Sequence, residues 1–331
     1  MHILDNYLSP ATCAVMTAAM VPVWTVSVRK VQRELPNSKI PLLGIGAAFT
    51  FLIMMFNIPV PGGTTAHAIG GTLIAVLLGP WAACLAVSVA VLIQALLFGD
   101  GGILAYGANC FNMAFVIPFL GYFIYTFFRG RVSGARAQMF CLGAASYLAL
   151  VAAALCVAIE FGLQPVLAKD AVGLPLYCPY PLSVSVPAML IPHMTIAGFV
   201  EAFFTVGVFG FINRVSPSTI YEVPEQRIHL GYGLLVGMAC LSPLGLLSNG
   251  TAWGEWRIEQ LKTMAVGGQG LATMPSRMVH GFHLNVAFPD YAVAGIPPFL
   301  GYVLSAIAGG AGLIVVFKLL GLMRRQGAVK T

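Results

Sequence analysis

Long apolar stretches, parted by short polar loops, limit this chain to very few folds. A membrane-crossing helix needs about 20 apolar residues, because each adds about 1.5 Å across a core near 30 Å thick. Nine stretches are candidate spans, at roughly 10–28, 41–58, 66–79, 82–98, 103–128, 137–162, 184–212, 229–248 and 294–317. Only 8% of the residues are charged, against roughly 25% in a soluble domain, which puts most of the chain in lipid. The expected fold class is an all-α polytopic membrane helical bundle of about nine spans. The third stretch is the weakest: it is short, holds Gly70, Gly71 and Gly79, and ends at Pro80.

Charge placement orients the bundle. With the N-terminus outside and the C-terminus inside, the inner loops and tail hold 13 of the 17 Lys and Arg residues. The outside receives only Lys169, Arg257, Lys262 and Arg277, three of them in one long loop, where charge counts little. Fusing the third and fourth stretches into one crossing would flip everything after them and destroy this bias. The longest inner loop, 213–228, marks a boundary. A seven-span module over 1–215 precedes a two-span module over 216–331, whose spans flank an outer loop at 249–293.

Several function classes drop out. There is no G-x-x-x-x-G-K-[ST] motif, so the chain does not hydrolyse ATP through a P-loop. No H-E-x-x-H or other catalytic constellation supports an intramembrane enzyme. The seven cysteines are scattered through apolar runs without a C-x-x-C and read as small buried hydrophobes. The start is not a cleavable signal peptide: the first basic residue is Arg29, and the apolar run 11–28 is long for an h-region. Met1 is therefore expected to persist, and the bulky His2 disfavours its enzymatic removal.

A retained Met1-His2 start is a chelator. The α-amine and the backbone nitrogen of His2 close a five-membered ring on a metal ion, and that nitrogen with His2 Nδ1 closes a six-membered one. One further nitrogen completes a square, the geometry that suits Ni(II) or Cu(II). His67 supplies it from the stretch 59–71, Pro-Val-Pro-Gly-Gly-Thr-Thr-Ala-His-Ala-Ile-Gly-Gly, which the topology places on the same side. Such backbone near a membrane is tolerated where it lines a cavity or is buried in protein. A lone histidine more often caps a helix or bonds a carbonyl; here the shared side and the chelator favour ligation.

Other polar residues are candidates for supporting or gating this site. Gln94, Asp100, Asn109 and Asn112 lie in or beside the next outer loop. They either orient His67 or serve as helix-packing glue. His193 and Glu201 lie inside the seventh span, where ionisable groups are functional candidates by default; shaping the bundle is the blander role. Small residues at Ala14, Ala18 and Ala19, and at Ala82, Ala83, Ala86 and Ala90, permit close helix approach, within this chain or against a partner. His280 and His283 form a spaced pair without an obvious third ligand and read as a low-affinity collecting site.

Three runs carry a family resemblance: Met1-His2-Ile3-Leu4-Asp5-Asn6-Tyr7-Leu8-Ser9-Pro10, Asn57 to His67, and Gln94 to Gly102. They resemble the CbiM/NikM substrate-binding components of energy-coupling factor (ECF) transporters for cobalt and nickel, over about residues 1–215. Leu241-Ser-Pro-Leu-Gly-Leu-Leu, Ala252-Trp-Gly-Glu-Trp and Pro289-Asp-Tyr resemble the two-span CbiN/NikN or PDGLE-like accessory component, here fused. The resemblance implies Ni(2+) or Co(2+) as transported substrate, held by the amine of Met1, the amide and imidazole of His2, and His67. It implies no organic cofactor and no nucleic acid. It also implies a transmembrane coupling (T) subunit and cytoplasmic ABC ATPases as partners, and residence in a bacterial inner membrane. Many relatives read Pro-Asp-Gly-Phe or Met-Glu-Gly-Phe where this chain has Leu4-Asp5-Asn6-Tyr7; the acidic position is kept. Four planar nitrogens favour nickel over cobalt. The rival reading is a stand-alone ion-coupled secondary metal transporter with His193 and Glu201 as a proton relay.

Overall fold

The structure, a computed structural model, describes residues 1–60, 64–215, 228–248, 251–257, 260–261 and 274–329. Of the expected boundary loop 213–228, residues 216–227 lie outside them, as do Pro61-Gly62-Gly63 and Lys262. Among the described residues, eight helical segments are long and apolar enough to cross a membrane. They are Pro10–Glu34, Asn37–Met54, Pro80–Phe98, Tyr106–Arg129, Ala135–Leu167, Leu182–Arg214, Ile228–Leu247 and Pro298–Met323. The protein is a multi-pass helical membrane bundle.

Local chemistry explains the boundaries. Helix α1 (Pro10–Glu34) starts where the Ser9 side chain accepts from Thr12 N at 3.3 Å, with proline at its first position. Its outward face, including Val15, Val21 and Val28, is exposed, as suits a helix meeting lipid. Helix α2 (Ile40–Met54) is buried almost throughout. It ends at a short antiparallel hairpin, β1 (Ile58–Val60) with β2 (Thr64–Ala66), pairing Ile58 with Ala66 and Val60 with Thr64.

The third candidate span of the sequence is not a full-length helix. Residues 67–70 are non-helical, and α3 runs only Gly71–Leu78. Eight residues rise about 12 Å, well short of a bilayer core. The chain nevertheless returns along α2: a Cβ on Gly70 would meet the Phe49 ring, and one on Gly46 would meet Ile74. Leu77 and Leu78 end beside Leu42 and Ile45, near the start of α2. The segment 66–78 is thus part loop and part helix, and α4 (Pro80–Ile93) sets out from the end where α2 began. The non-helical half is buried in protein, a setting in which such backbone is tolerated at depth.

The rest of the first module follows as α5 (Tyr106–Asn109) and α6 (Ile117–Arg129), joined by a π-helical turn, then α7 (Ala135–Leu167). Helices α8 (Leu182–Pro192) and α9 (Gly198–Val215) are joined by a second π-helical turn, His193–Ala197. Ala82, Ala83, Ala86 and Ala90 of α4 are all buried, so they pack this chain's own bundle, whereas Ala14, Ala18 and Ala19 of α1 are exposed.

The second module adds α10 (Ile228–Leu241), the four-residue α11 (Ser276–Val279) and α12 (Pro298–Val329). Helix α12 lies antiparallel on α2. Gly321 meets Ile40, Phe317 meets Gly44, Gly309 meets Phe51, and the Tyr302 hydroxyl donates to Met55 O at 2.9 Å.

Candidate metal centre

The first nine residues turn into the protein. Met1, His2 and Ile3 are 5%, 1% and 0% exposed. Ile3 is gripped on both sides by Asn109: its N–H donates to Asn109 Oδ1 at 2.7 Å, and Asn109 Nδ2 donates to its carbonyl at 3.0 Å. Gly102 N donates to the same carbonyl at 2.7 Å. The Asp5 carboxylate accepts from the N–H groups of Ile103 (3.2 Å) and Leu104 (2.8 Å). Gly102 permits this approach, because a Cβ there would lie 2.4 Å from Asp5 N. The loop after α4 and the start of α5 thus form a socket for the N-terminal segment.

Two imidazoles meet in that socket, with ring centroids 5.2 Å apart. His2 Nε2 lies 3.2 Å from Gln94 Oε1. Gln94 turns its amide nitrogen to the Tyr291 hydroxyl (3.1 Å) and Asp100 Oδ2 (3.4 Å), which leaves its oxygen to accept from His2. The His2 proton then sits on Nε2 and the lone pair on Nδ1. His67 does the converse. Its Nδ1 lies 3.2 Å from Ala68 O, so the lone pair falls on Nε2. Both His2 Nδ1 and His67 Nε2 are buried without a hydrogen-bond partner. His2 Nδ1 faces Asp100 Oδ1 at 3.2 Å without hydrogen-bond geometry. Two acceptors so placed repel, and a cation between them would relieve the conflict. Burial pushes the His2 imidazole down to about 4, so at neutral pH it is uncharged and available as a ligand.

The second module supplies Glu255. Its Oε1 accepts from the Met1 ammonium at 2.6 Å and from His2 N at 2.8 Å. Burial favours the neutral acid, but the Met1 ammonium and the two imidazoles outweigh it and hold the carboxyl down at about 2. The nearest donor atoms of His2, His67 and Glu255 all lie within 4.8 Å of one another, a spacing one metal ion can bridge. Asp100 differs: burial and the Glu255 charge push it up to about 6 against the Tyr291 hydrogen bond, which spans 2.5 Å.

Of the other sequence candidates, Glu201 does not touch the cluster. Its carboxylate accepts from Ile69 N (2.7 Å) and Gly70 N (3.0 Å), the orphan donors at the start of α3. His193 Nδ1 bonds Met189 O one turn back at 2.6 Å, and borders a small cavity with the Met1 side chain. Asn112 donates to Glu160 at 2.9 Å, away from the imidazoles. His280 and His283 are exposed and belong to no three-residue ligand group among the described residues.

Sequence reasoning gave no role to Glu255, Tyr291 or Glu160. Glu255 sat inside the Ala-Trp-Gly-Glu-Trp run, and its outer loop was on the Met1 side of the topology. An acid flanked by two tryptophans on that side was the available signal. The loop docks by further contacts. The Tyr7 hydroxyl donates to Trp256 O at 2.8 Å, Asn6 exchanges two 2.9 Å hydrogen bonds with the backbone of Phe282, and Phe288 N donates to Leu97 O at 2.8 Å.

Comparison with known proteins places this geometry in a family. Residues 2–219 match the model CbiM, "Cobalt uptake substrate-specific transmembrane region", and residues 227–326 match the PDGLE domain. The chain is 53% identical over 97% of its length to the "Probable fused nickel transport protein LarMN" of Lactiplantibacillus plantarum, covering 96% of that protein. It is 48% identical over 99% of its length to the "Fused nickel transport protein NikMN" of Rhodobacter capsulatus, covering all of it. Two solved structures are also similar. A "transition metal transporter" is 50% identical with a TM-score of 0.62 over 71% of this chain and 99% of its own. A truncated one is 53% identical with a TM-score of 0.61 over 65% of this chain and 99% of its own. A helical membrane bundle whose N-terminus folds in so that two buried imidazoles each keep one unpartnered nitrogen, joined to a second module in one chain, belongs to the family of cobalt-uptake substrate-specific transmembrane regions.

Proposed function

We propose that this chain is the substrate-capture subunit of an ECF-type importer for a divalent transition metal, with nickel favoured over cobalt. Residues 1–215 form the metal-binding component and 216–331 the accessory module. The ion is held in a planar four-nitrogen site by the Met1 amine, the His2 amide nitrogen, His2 Nδ1 and His67 Nε2. The single observation carrying this reading is the pair of buried imidazole nitrogens without partners, beside the two N–H groups that share Glu255 Oε1. Ligation replaces one proton on the amine and one on the amide. Four nitrogens in a plane suit low-spin Ni(II), and the divalent affinity order also puts nickel above cobalt.

The chain itself is the non-catalytic subunit. A transmembrane coupling subunit and cytoplasmic ABC ATPases supply the energy, in the plasma membrane of a bacterium. Asn109, Asp5 and Gln94 hold the donors in position, and Glu201 and Asn112 brace the surrounding helices. The rival, a stand-alone secondary transporter, would need His193 and Glu201 as a proton relay, whereas their side chains here bond different stretches of backbone, Met189 O and the N–H groups of Ile69 and Gly70.

The deciding experiment is metal titration of purified protein with a free Met1 amine, beside a form extended by one residue and His67→Ala. Tight nickel binding by the first alone supports the reading. Tight binding by the extended form overturns it.

A further inference from the structure

The ligand nitrogens are buried, yet an ion must reach them from water. Between the two modules lies a cavity of about 240 Å³, with His67, Asp100, Glu255, Thr65, Thr251 and Asn57 on its walls. That volume holds several waters, enough for a partly hydrated cation. His67, whose Nε2 is buried without a hydrogen-bond partner, lines it beside Ser248, whose Oγ is likewise unpartnered. The Met1 and His2 side chains are 1% exposed, whereas those of Glu255 and Asp100 are 16% and 21% exposed. The two carboxylates therefore span the step from cavity water to the nitrogen set. Among the described residues, Arg257 is the one Lys or Arg on the cavity wall, and it is turned into a 2.7 Å ion pair with Asp290, which leaves the Asp100 and Glu255 carboxylates beside His67.

We propose that this cleft is the ion's access route and that Glu255 is its first ligand, passing the ion to the nitrogens. This rests on the reading of Met1, His2 and His67 as the final donors. In the capture complex the hydrated ion exchanges waters for a Glu255 carboxylate oxygen, His2 Nδ1 and His67 Nε2; one ligand atom from each of these three residues lies within 4.8 Å of the others. Glu255 thereby releases the two N–H groups it holds. The amine and amide nitrogens then displace the carboxylate and the remaining waters. Each gives up one proton to cavity water, and no electrons move. A carboxylate and two imidazoles bind divalent ions in open, exchangeable geometry, whereas the planar nitrogen set is closed. The accessory module thus sets the rate of loading rather than the identity of the final ligands.

The test is stopped-flow loading of the full chain with Ni(II), alongside equilibrium titration. Glu255→Gln should slow association about tenfold or more and flatten its dependence on salt, the signature of lost electrostatic attraction. Its equilibrium Kd should change less than its rate. Glu255→Asp should restore most of the rate. Thr251→Trp, which narrows the cleft and leaves every donor in place, should also slow loading. Loading of Glu255→Gln at the parent rate overturns the proposal. So does a loss of equilibrium affinity as large as that of His67→Ala, since Glu255 would then be a permanent ligand or a structural prop. If instead the N-terminally extended chain binds tightly, the four-nitrogen reading has failed, which is a different outcome.

Discussion

His2 Nε2 lies 3.2 Å from Gln94 Oε1, and this contact decides which imidazole nitrogen is left for an ion. The chelate needs Nδ1, and the hydrogen bond to Gln94 places the proton on the other nitrogen. Gln94→Leu removes the acceptor and leaves the tautomer unfixed. Nickel affinity should fall about 10- to 100-fold, the usual cost of losing a partner of a metal-bound histidine. Competition titration against a chelator of known affinity measures it, and an unchanged Kd would refute the assignment.

Glu201 is predicted to act as a backbone brace. Glu201→Leu would leave the N–H groups of Ile69 and Gly70 buried and unpaired, at about 1–3 kcal/mol each. The melting temperature in detergent should fall markedly, and nickel affinity with it, because His67 is only two residues from Ile69. A proton-relay role predicts the opposite pattern: an intact melting temperature with lost transport.

His2 should cost the metal-free protein stability as pH falls from about 6.5 to 4, a loss that Asp100, raised to about 6, partly offsets below pH 6. His2 titrates near 6.5 when unfolded and near 4 when folded. Over that window the unfolded chain binds the extra proton, so the His2 contribution to stability rises with pH. The span corresponds to about 3 kcal/mol. Thermal melts at pH 7, 6, 5 and 4.5 should show His2→Asn losing less stability with acid than the parent, the difference being the His2 contribution.

Gly309 is predicted to be intolerant of side chains. A Cβ there would overlap the Phe51 ring at 2.1 Å. Gly309→Val should cost about 1–3 kcal/mol or more through overpacking and loosen α12 from α2. Limited proteolysis of the outer loop should then speed up while the parent resists.

The long helices were legible in the sequence because lipid demands about 20 apolar residues in a row, a signal that needs no partner. Met1 and His2 stood out as candidate ligands because chelate ring sizes follow from covalent geometry, and His67 because the expected topology put it on their side; the structure brings the two imidazoles to 5.2 Å. What escaped was whatever depends on contacts across hundreds of residues. Glu255 reaches Met1 over a separation of 254 residues, and no local pattern encodes that. The segment 66–79 read as a span because its residues are apolar. Its first half is non-helical instead, since the Glu201 carboxylate on α9 pairs the N–H groups that a helix would have paired. Hydropathy sees the apolar side chains and not the distant acceptor.

The contacts joining the two modules, from Glu255 on the N-terminus to Tyr302 on Met55, are made within one polypeptide. Two separate chains would form them by a second-order encounter, and the fraction assembled would follow expression level and dilution in the bilayer. Linkage makes the encounter unimolecular, with an effective concentration fixed by the connecting segment. Every copy therefore carries its own partner in a ratio of one to one, whatever the abundance of the protein.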